Sequence, residues 1–317
     1  MRNPDTTAEP TIAVVGAGAV GMFFGARLLA GGARVVYVTR GDSLRVLPVK
    51  GIRIESESAP LSVPAVQAVG ALEALPSHTS LVILATKTLD LPQLLPELQR
   101  WCAAHPHAHI VPLQNGVENE PMLVQALGAD QVVAGLAFLG SERLAPGVVR
   151  HYASGSLSIG PWRGAARPAA QQWAAYLQAH GVRCAFHEDM VTERWRKLFW
   201  NLAFNPTTAL TGLDSQAVAR SEAALPLIHA LLREALAVAQ AEGAQLQWSD
   251  AERQIERTQQ MSGTRTSMQV DREAGRPTEY DAIVGAVVRA AARHGLAVPA
   301  ATTICQLLAT IDGALHG

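Results

Sequence analysis

The stretch Thr11-Ile-Ala-Val-Val-Gly-Ala-Gly-Ala-Val-Gly21 sets the architecture of the first half of the chain. Its first five residues form a β-branched, apolar run bounded by Pro10 and Gly16, the pattern of a short buried strand. Gly16, Ala17, Gly18, Ala19, Val20 and Gly21 then follow the spacing G-x-G-x-x-G, and Met22, Phe23, Ala26 and Leu29 continue with a helical period. The spacing alone is a weak signal. A strand before it, a helix after it and a second strand over 34–39, beyond the Gly31-Gly32 stop, give it meaning. Gly16 permits the tight turn, Gly18 lets the backbone approach a pyrophosphate, and Gly21 lets the helix pack close to the sheet. The helix start offers free N–H groups and the positive end of its dipole to the phosphates. The alternative is a set of glycines that serves only a tight strand-to-helix turn.

The end of the second strand selects the cofactor. An NAD site places Asp or Glu there, on the ribose 2′-hydroxyl. This chain has Thr39-Arg40-Gly41 instead, and Asp42 falls two residues late. The planar fork of Arg40 can pair with a 2′-phosphate, so NADP(H) is expected; an ordinary solvated arginine is the alternative. Further strands are expected over 80–86, 109–113 and 131–137. With helical stretches between them, this alternation predicts an α/β fold with a parallel sheet and right-handed crossovers.

Near residue 187 the character changes. The chain becomes rich in Ala, Leu, Gln, Glu and Arg, and helices are expected over 189–205, 216–242, 250–260, 278–294 and 299–314. The organisation expected is a polar tail over 1–10, a Rossmann-type domain over 11–186 and an all-α C-terminal domain over 187–317. No Gly/Ser linker separates the two domains, so a site in a cleft between them is expected.

Composition limits the functions available. A length of 317 residues suits about two domains, and 49% hydrophobic residues exclude disorder. Lys plus Arg is 26 against 27 for Asp plus Glu, which argues against a nucleic-acid or membrane-surface partner. Cys102, Cys184 and Cys305 are widely spaced with no Cys-x-x-Cys, so neither a disulfide framework nor a zinc ribbon is expected. The first ten residues lack the basic start and apolar core of a signal peptide. No stretch reaches the roughly 18 uninterrupted apolar residues of a membrane helix, and a cytoplasmic location is expected. His105, His107 and His109 are split by Pro106 without a nearby carboxylate, so they suggest a surface turn before a strand, and no metal site is expected.

The second informative segment is Trp195-Arg-Lys-Leu-Phe-Trp-Asn-Leu-Ala-Phe-Asn-Pro206. Lys197, Asn201 and Asn205 are spaced i, i+4, i+8 and line one helical face, beside an apolar face of Trp195, Leu198, Phe199 and Leu202. Asn is a poor interior helix former, so two of them in an apolar helix need a reason. Pro206 is expected to disrupt the helix and free carbonyls near Asn205. A polar stripe facing an oxygen-rich substrate is one reading; a surface lysine with two asparagines capping a helix end is the other. A lysine in a cleft can give a proton to a carbonyl oxygen as hydride reaches the carbon.

The chain resembles the ketopantoate reductase family (2-dehydropantoate 2-reductase) of the 6-phosphogluconate-dehydrogenase-like superfamily, from Ile12 to about Ala309. The resemblance rests on the glycine turn, Leu84-Ala-Thr-Lys-Thr-Leu-Asp90, Gln114-Asn-Gly-Val117, the Trp195–Pro206 segment, Thr266-Ser-Met-Gln-Val-Asp271 and Gly275-Arg-Pro-Thr-Glu279. It implies Lys197 as proton donor, and Asn115, Asn201, Asn205 and Ser267 as substrate ligands. It also implies cofactor contacts from Gly16 to Gly21, Arg40, Lys87, Asn115 and Glu279, with Glu279 closing over the site. Thr266 departs from the usual Ser-Ser-Met opening of its motif: the hydroxyl is kept and a methyl is added. The residues about it, 264–275, are expected to form a polar loop between helices.

The activity the resemblance implies is NADPH-dependent reduction of ketopantoate to pantoate, in pantothenate and coenzyme A synthesis. A reductase of another 2-ketoacid on the same scaffold is one alternative, and a non-catalytic NADPH-binding redox sensor another. Arg40, Lys87 and Lys197 are expected to serve a small anionic substrate and its cofactor. The Ala-rich helices leave a homodimer possible.

Overall fold

A computed structural model describes residues 9–316; residues 1–8 of the expected polar tail lie outside them. The chain divides into two compact units. One holds the chain up to Gln114 and Asn119–Met190; the other holds Asn115–Glu118 and the chain from Val191 onward. The first unit runs β1 (Thr11–Val15), α1 (Ala19–Ala30), β2 (Arg34–Val38), α2 (Gly41–Lys50), β3 (Ile52–Glu55), β4 (Leu61–Val63), β5 (Gln67–Val69), β6 (Thr79–Leu84), α3 (Leu91–Ala104), β7 (His109–Pro112), α4 (Asn119–Leu127), β8 (Val133–Ala145), β9 (Val148–Pro161), α5 (Arg167–Ala179) and β10 (Arg183–Phe186).

A five-stranded sheet in the order β5-β2-β1-β6-β7 is parallel throughout. Chain order reverses between β1 and β6, the switch point where open α/β sheets bind ligands beyond the strands' C-terminal ends. β1 is buried along its whole length and sorts its side chains by the period of two. Ile12 and Val14 join Val35, Tyr37, Leu81 and Ile83 in a core under α1 and α5, with Phe23, Phe24, Trp173 and Leu177. Ala13 and Val15 join Val36, Val38, Val82 and Leu84 in a second core with Leu91, Leu98 and Trp101 of α3 and Leu123 of α4.

One expectation for this half is corrected. The fifth parallel strand is β5, and the segment expected over 131–137 opens β8, which forms an antiparallel hairpin with β9 in a second sheet. In that sheet β9 pairs β3 along its first residues and β10 along its last. Pro146 and Gly147 turn the hairpin, Gly147 with φ 79°. Ile52, Ile54, Val149, Leu157 and Ile159 of this sheet complete the core under α1.

The second unit is helical. After α6 (Met190–Thr211) come α7 (Ser215–Arg220), α8 (Leu225–Ala241), α9 (Trp248–Gln260), α10 (Ser267–Glu273), α11 (Ala286–Arg293) and α12 (Pro299–His316), with a π-helical turn over Asp281–Gly285. Helix α8 buries Ile228, Leu231, Leu232, Ala235 and Val238, and packs with α11 and α12. Here too the expectations change. The helix expected over 216–242 is two helices, separated at Ser221–Ala224 before Pro226 in the first turn of α8. The loop expected over 264–275 contains α10, and 278–294 begins with the π turn. Helix α6 continues through Pro206 for five more residues: the proline takes the amide donor from the Leu202 carbonyl alone, and burial of the segment holds it helical. Among the described residues, no helix is long and apolar enough to cross a membrane.

Candidate active site

In the first unit, the turn after β1 leaves the sheet with Gly16 at φ 105°. The Gly16 N–H donates to the Val38 carbonyl, and the Ala85 N–H donates to the Val15 carbonyl, so the loops after β1, β2 and β6 start from one sheet edge. A Cβ on Gly16 would lie 2.8 Å from the Ala85 backbone, and one on Gly21 would collide with the Gly16 carbonyl. Both glycines are required by internal packing. Gly18 is different: its φ of −80° suits any residue, and a Cβ there would meet only the Ala85 carbonyl oxygen, at 3.8 Å. The fold does not need this glycine.

Gly18 is also the N-cap of α1, where no side chain caps the helix and the first turn contains no acid. The first turn's N–H groups are donors without an intrahelical acceptor, at the positive end of the dipole. A turn of this kind fits a dinucleotide pyrophosphate. Further along, a Cβ on Gly25 would collide with the Tyr37 hydroxyl, which donates to the Gly21 carbonyl at 3.2 Å. Gly25 therefore makes room for a β2 side chain that fastens α1 to the sheet.

Arg40 stands two residues past β2, at the N-cap of α2, with its side chain 82% exposed and a 4.0 Å contact with Glu97. Lys87 is exposed just past β6. The Gln114 amide, after β7, donates to the Thr86 hydroxyl (3.1 Å) and the Lys87 carbonyl (3.2 Å), tying the two loops together.

In the second unit, Lys197 of α6 donates from Nζ to Asn115 Oδ1 at 3.1 Å, and Asn115 Nδ2 donates to Glu279 Oε2 at 3.0 Å. Charge fixes the amide's orientation, since the reverse would set its NH₂ against an ammonium and its oxygen against a carboxylate. Three residues separated by 82 and 164 positions thus form one line. Each end is held. The Arg194 guanidinium, only 1% exposed, donates to the Gly116 carbonyl at 3.3 Å. Gly116 has φ 95°, and a Cβ on it would lie 2.6 Å from the Ala282 carbonyl oxygen. Glu118 accepts from Arg289 Nη2 (2.7 Å) and Nε (3.2 Å), contacts that push the guanidinium further up. Asp312 accepts from the Thr278 N–H and hydroxyl, both at 2.9 Å, and so anchors the residue before Glu279.

The remaining expected ligands fall on the same unit. Asn201 and Asn205 are 7% and 1% exposed, inside α6 and away from its end, which removes the capping alternative. Asn205 Oδ1 is buried without a hydrogen-bond partner. Ser267 is the first residue of α10 and is exposed. Thr266 is the N-cap of that helix: its hydroxyl accepts from the Gln269 N–H at 3.2 Å. The residues not anticipated are Arg194, Thr208, Thr278, Arg289 and Asp312. Thr208 could have been found, since it continues the stripe three residues past Asn205. Nothing in the sequence marks Arg194 as a buried arginine.

These features place the chain among oxidoreductases with a Rossmann-type unit followed by a helical one. A family model described as "Ketopantoate reductase PanE/ApbA" matches residues 12–164, and the corresponding C-terminal model, "Ketopantoate reductase PanE/ApbA C terminal", matches residues 189–312. The 2-dehydropantoate 2-reductase of Halobacterium salinarum is 30% identical over 95% of this chain and 99% of its own. The crystal structure of 2-dehydropantoate 2-reductase from Geobacter metallireducens superposes with a TM-score of 0.88 at 31% identity, over 95% of this chain and 99% of that one. That from Methylococcus capsulatus gives 0.87 at 32% identity, over 97% and 98%. The chain belongs to the ketopantoate reductase family.

Proposed function

We propose that this chain reduces 2-dehydropantoate to pantoate with NADPH, the family's reaction in pantothenate and coenzyme A synthesis. The observation that carries the reading is the Lys197–Asn115–Glu279 line, at 3.1 and 3.0 Å. It holds an ammonium in a fixed place, as an acid for a developing alkoxide must be held.

NADPH, when bound, supplies the hydride that reaches the C2 carbonyl carbon. Gly16 to Gly21 and the start of α1 would hold the pyrophosphate, Arg40 the 2′-phosphate and Lys87 a further phosphate or ribose oxygen. Lys197 donates a hydrogen bond to the C2 oxygen, and its proton passes to that oxygen as the carbonyl π pair moves onto it. The carbonyl becomes a hydroxyl, and the neutral amine regains a proton from solvent. Asn115 keeps the ammonium in line, and Glu279 orients Asn115. Asn201, Asn205 and Ser267 hold the ketoacid's hydroxyl and carboxylate.

Steady-state oxidation of NADPH with a panel of 2-ketoacids tests the reading. Ketopantoate should give the highest kcat/KM, and Lys197→Ala should lower kcat at least about a hundredfold with NADPH still bound. Preference for another ketoacid would reassign the substrate. Tight NADPH binding without turnover of any ketoacid would indicate a sensor.

A further inference from the structure

We infer that Thr208 is a positioning residue that sets the start of α10, and with it Ser267, against the Lys197–Asn205 stripe; the inference rests on the 2-ketoacid reductase reading. The Thr208 and Thr266 hydroxyl oxygens lie 2.7 Å apart, with the residues 0% and 2% exposed. Their order of donation follows from the neighbours. Thr266 Oγ1 accepts from the Gln269 N–H, and Thr208 Oγ1 lies 3.1 Å from the Asn205 carbonyl, which can only accept. A hydroxyl has one proton to give. The chain therefore runs in one direction: Gln269 N–H to Thr266, Thr266 O–H to Thr208, Thr208 O–H to the Asn205 carbonyl. It joins the first turn of α10 to the backbone of Asn205 in a dry interior, where each bond lost strands a polar group.

Ser267 lies between the cap residue and Gln269, so its place follows from this chain. Thr266 keeps the hydroxyl that serine supplies in the family motif. The hydroxyl serves the cap and leaves recognition to the next residue. A second tie runs beside it, from Gln269 Nε2 to the Gly212 carbonyl just past α6, at 3.0 Å.

Thr208→Val keeps shape and removes the link, leaving the Thr266 proton without an acceptor. We expect KM for the ketoacid to rise at least about tenfold, with kcat within about threefold and KM for NADPH unchanged. Thr208→Ser should restore KM. By hydrogen exchange, the Gln269 amide should lose protection in Thr208→Val while the amides of α6 keep theirs. An unmoved ketoacid KM in a variant that melts like the wild type overturns the inference. So does an equal rise in both KM values, or a serine variant no better than valine. If Thr208→Val does not fold, Thr208→Ala is judged by the same criteria. A wild-type protein that reduces no 2-ketoacid overturns instead the reading on which the inference rests.

Discussion

Gly18→Ala separates what the glycine turn does for the fold from what it does for a ligand. The new methyl would meet only the Ala85 carbonyl, at an ordinary 3.8 Å, and the backbone at φ −80°, ψ −175° accepts alanine. The unfolded chain loses freedom, worth about 0.4–1 kcal/mol in favour of the variant, while alanine is a poorer N-cap than glycine by a similar amount. Stability should stay within about 1 kcal/mol, a shift in Tm of about 2–4 °C. A phosphate oxygen is another matter. It approaches a backbone N–H to about 2.9 Å, whereas a methyl carbon holds neighbours at about 3.5 Å or more. Displacing the pyrophosphate weakens two charge-assisted bonds worth about 1.5–3 kcal/mol each. At about 1.4 kcal/mol per decade, Kd for NADPH should rise a hundredfold or more.

The assay is a fluorescence titration with NADPH beside a thermal melt, with Gly21→Ala as the contrast. That substitution drives a methyl into the Gly16 carbonyl and should fail to fold or melt far lower. Unchanged NADPH affinity in a well-folded Gly18→Ala protein would refute a pyrophosphate over the turn. A Gly18→Ala protein that melts like Gly21→Ala would show that the fold itself needs this glycine.

Arg40→Ala should raise KM for NADPH far more than for NADH, because the side chain is largely exposed and its contact with Glu97 is a long 4.0 Å; equal effects would remove Arg40 from the 2′-phosphate. Gly25→Ala would gain about 1 kcal/mol in an ordinary helix, but here it should cost about 1–3 kcal/mol by urea titration, since its methyl meets the Tyr37 hydroxyl. A gain in stability would disprove that packing. Burial pushes the Cys102 thiol up to about 11 and the Cys184 thiol up to about 12, from 9.0. The folded state binds those protons more tightly, so the stability they contribute is full below pH 9 and lost as pH rises through 11 and 12. The loss should be shallower in Cys102→Ala/Cys184→Ala, and identical pH slopes would rule the thiols out.

Local features were legible in the sequence because local spacing carries them. The glycine turn is contiguous, and Lys197, Asn201 and Asn205 share a face by helical geometry alone. The β8–β9 hairpin was not legible, although Pro146-Gly147 marks its turn. Its register shifts at Phe138/Leu139, Gly140/Ser141 and Arg143/Ala145, and the strand pattern from Ser154 to Ser158 is polar. Such bulges break the alternation by which a strand is recognised. Pro206 misled because a buried helix can tolerate the loss of the one bond a proline removes. Helix α10 had a local signal, Thr266 followed three residues later by Gln269, but it is too short for periodicity to reveal. Contacts across 82 and 164 residues have no local trace at all.

That line of contacts also bears on why position 115 is an amide. An aspartate there would grip the lysine harder, but an ion pair favours the charged form and holds the proton on nitrogen. For Lys197 in the proposed role of proton donor, a neutral acceptor leaves the proton easier to release to a developing alkoxide. The neutral amide needs orienting, and Glu279 does this from one residue further out, where its charge meets Asn115 Nδ2. Asp312 then fixes the chain before Glu279, and Arg289 fixes Glu118 at the other end of the Asn115–Glu118 strap. These contacts hold Asn115 from turning. On the proposed role of Lys197 as proton donor, Asn115 is a contact that aims the ammonium and carries no charge of its own.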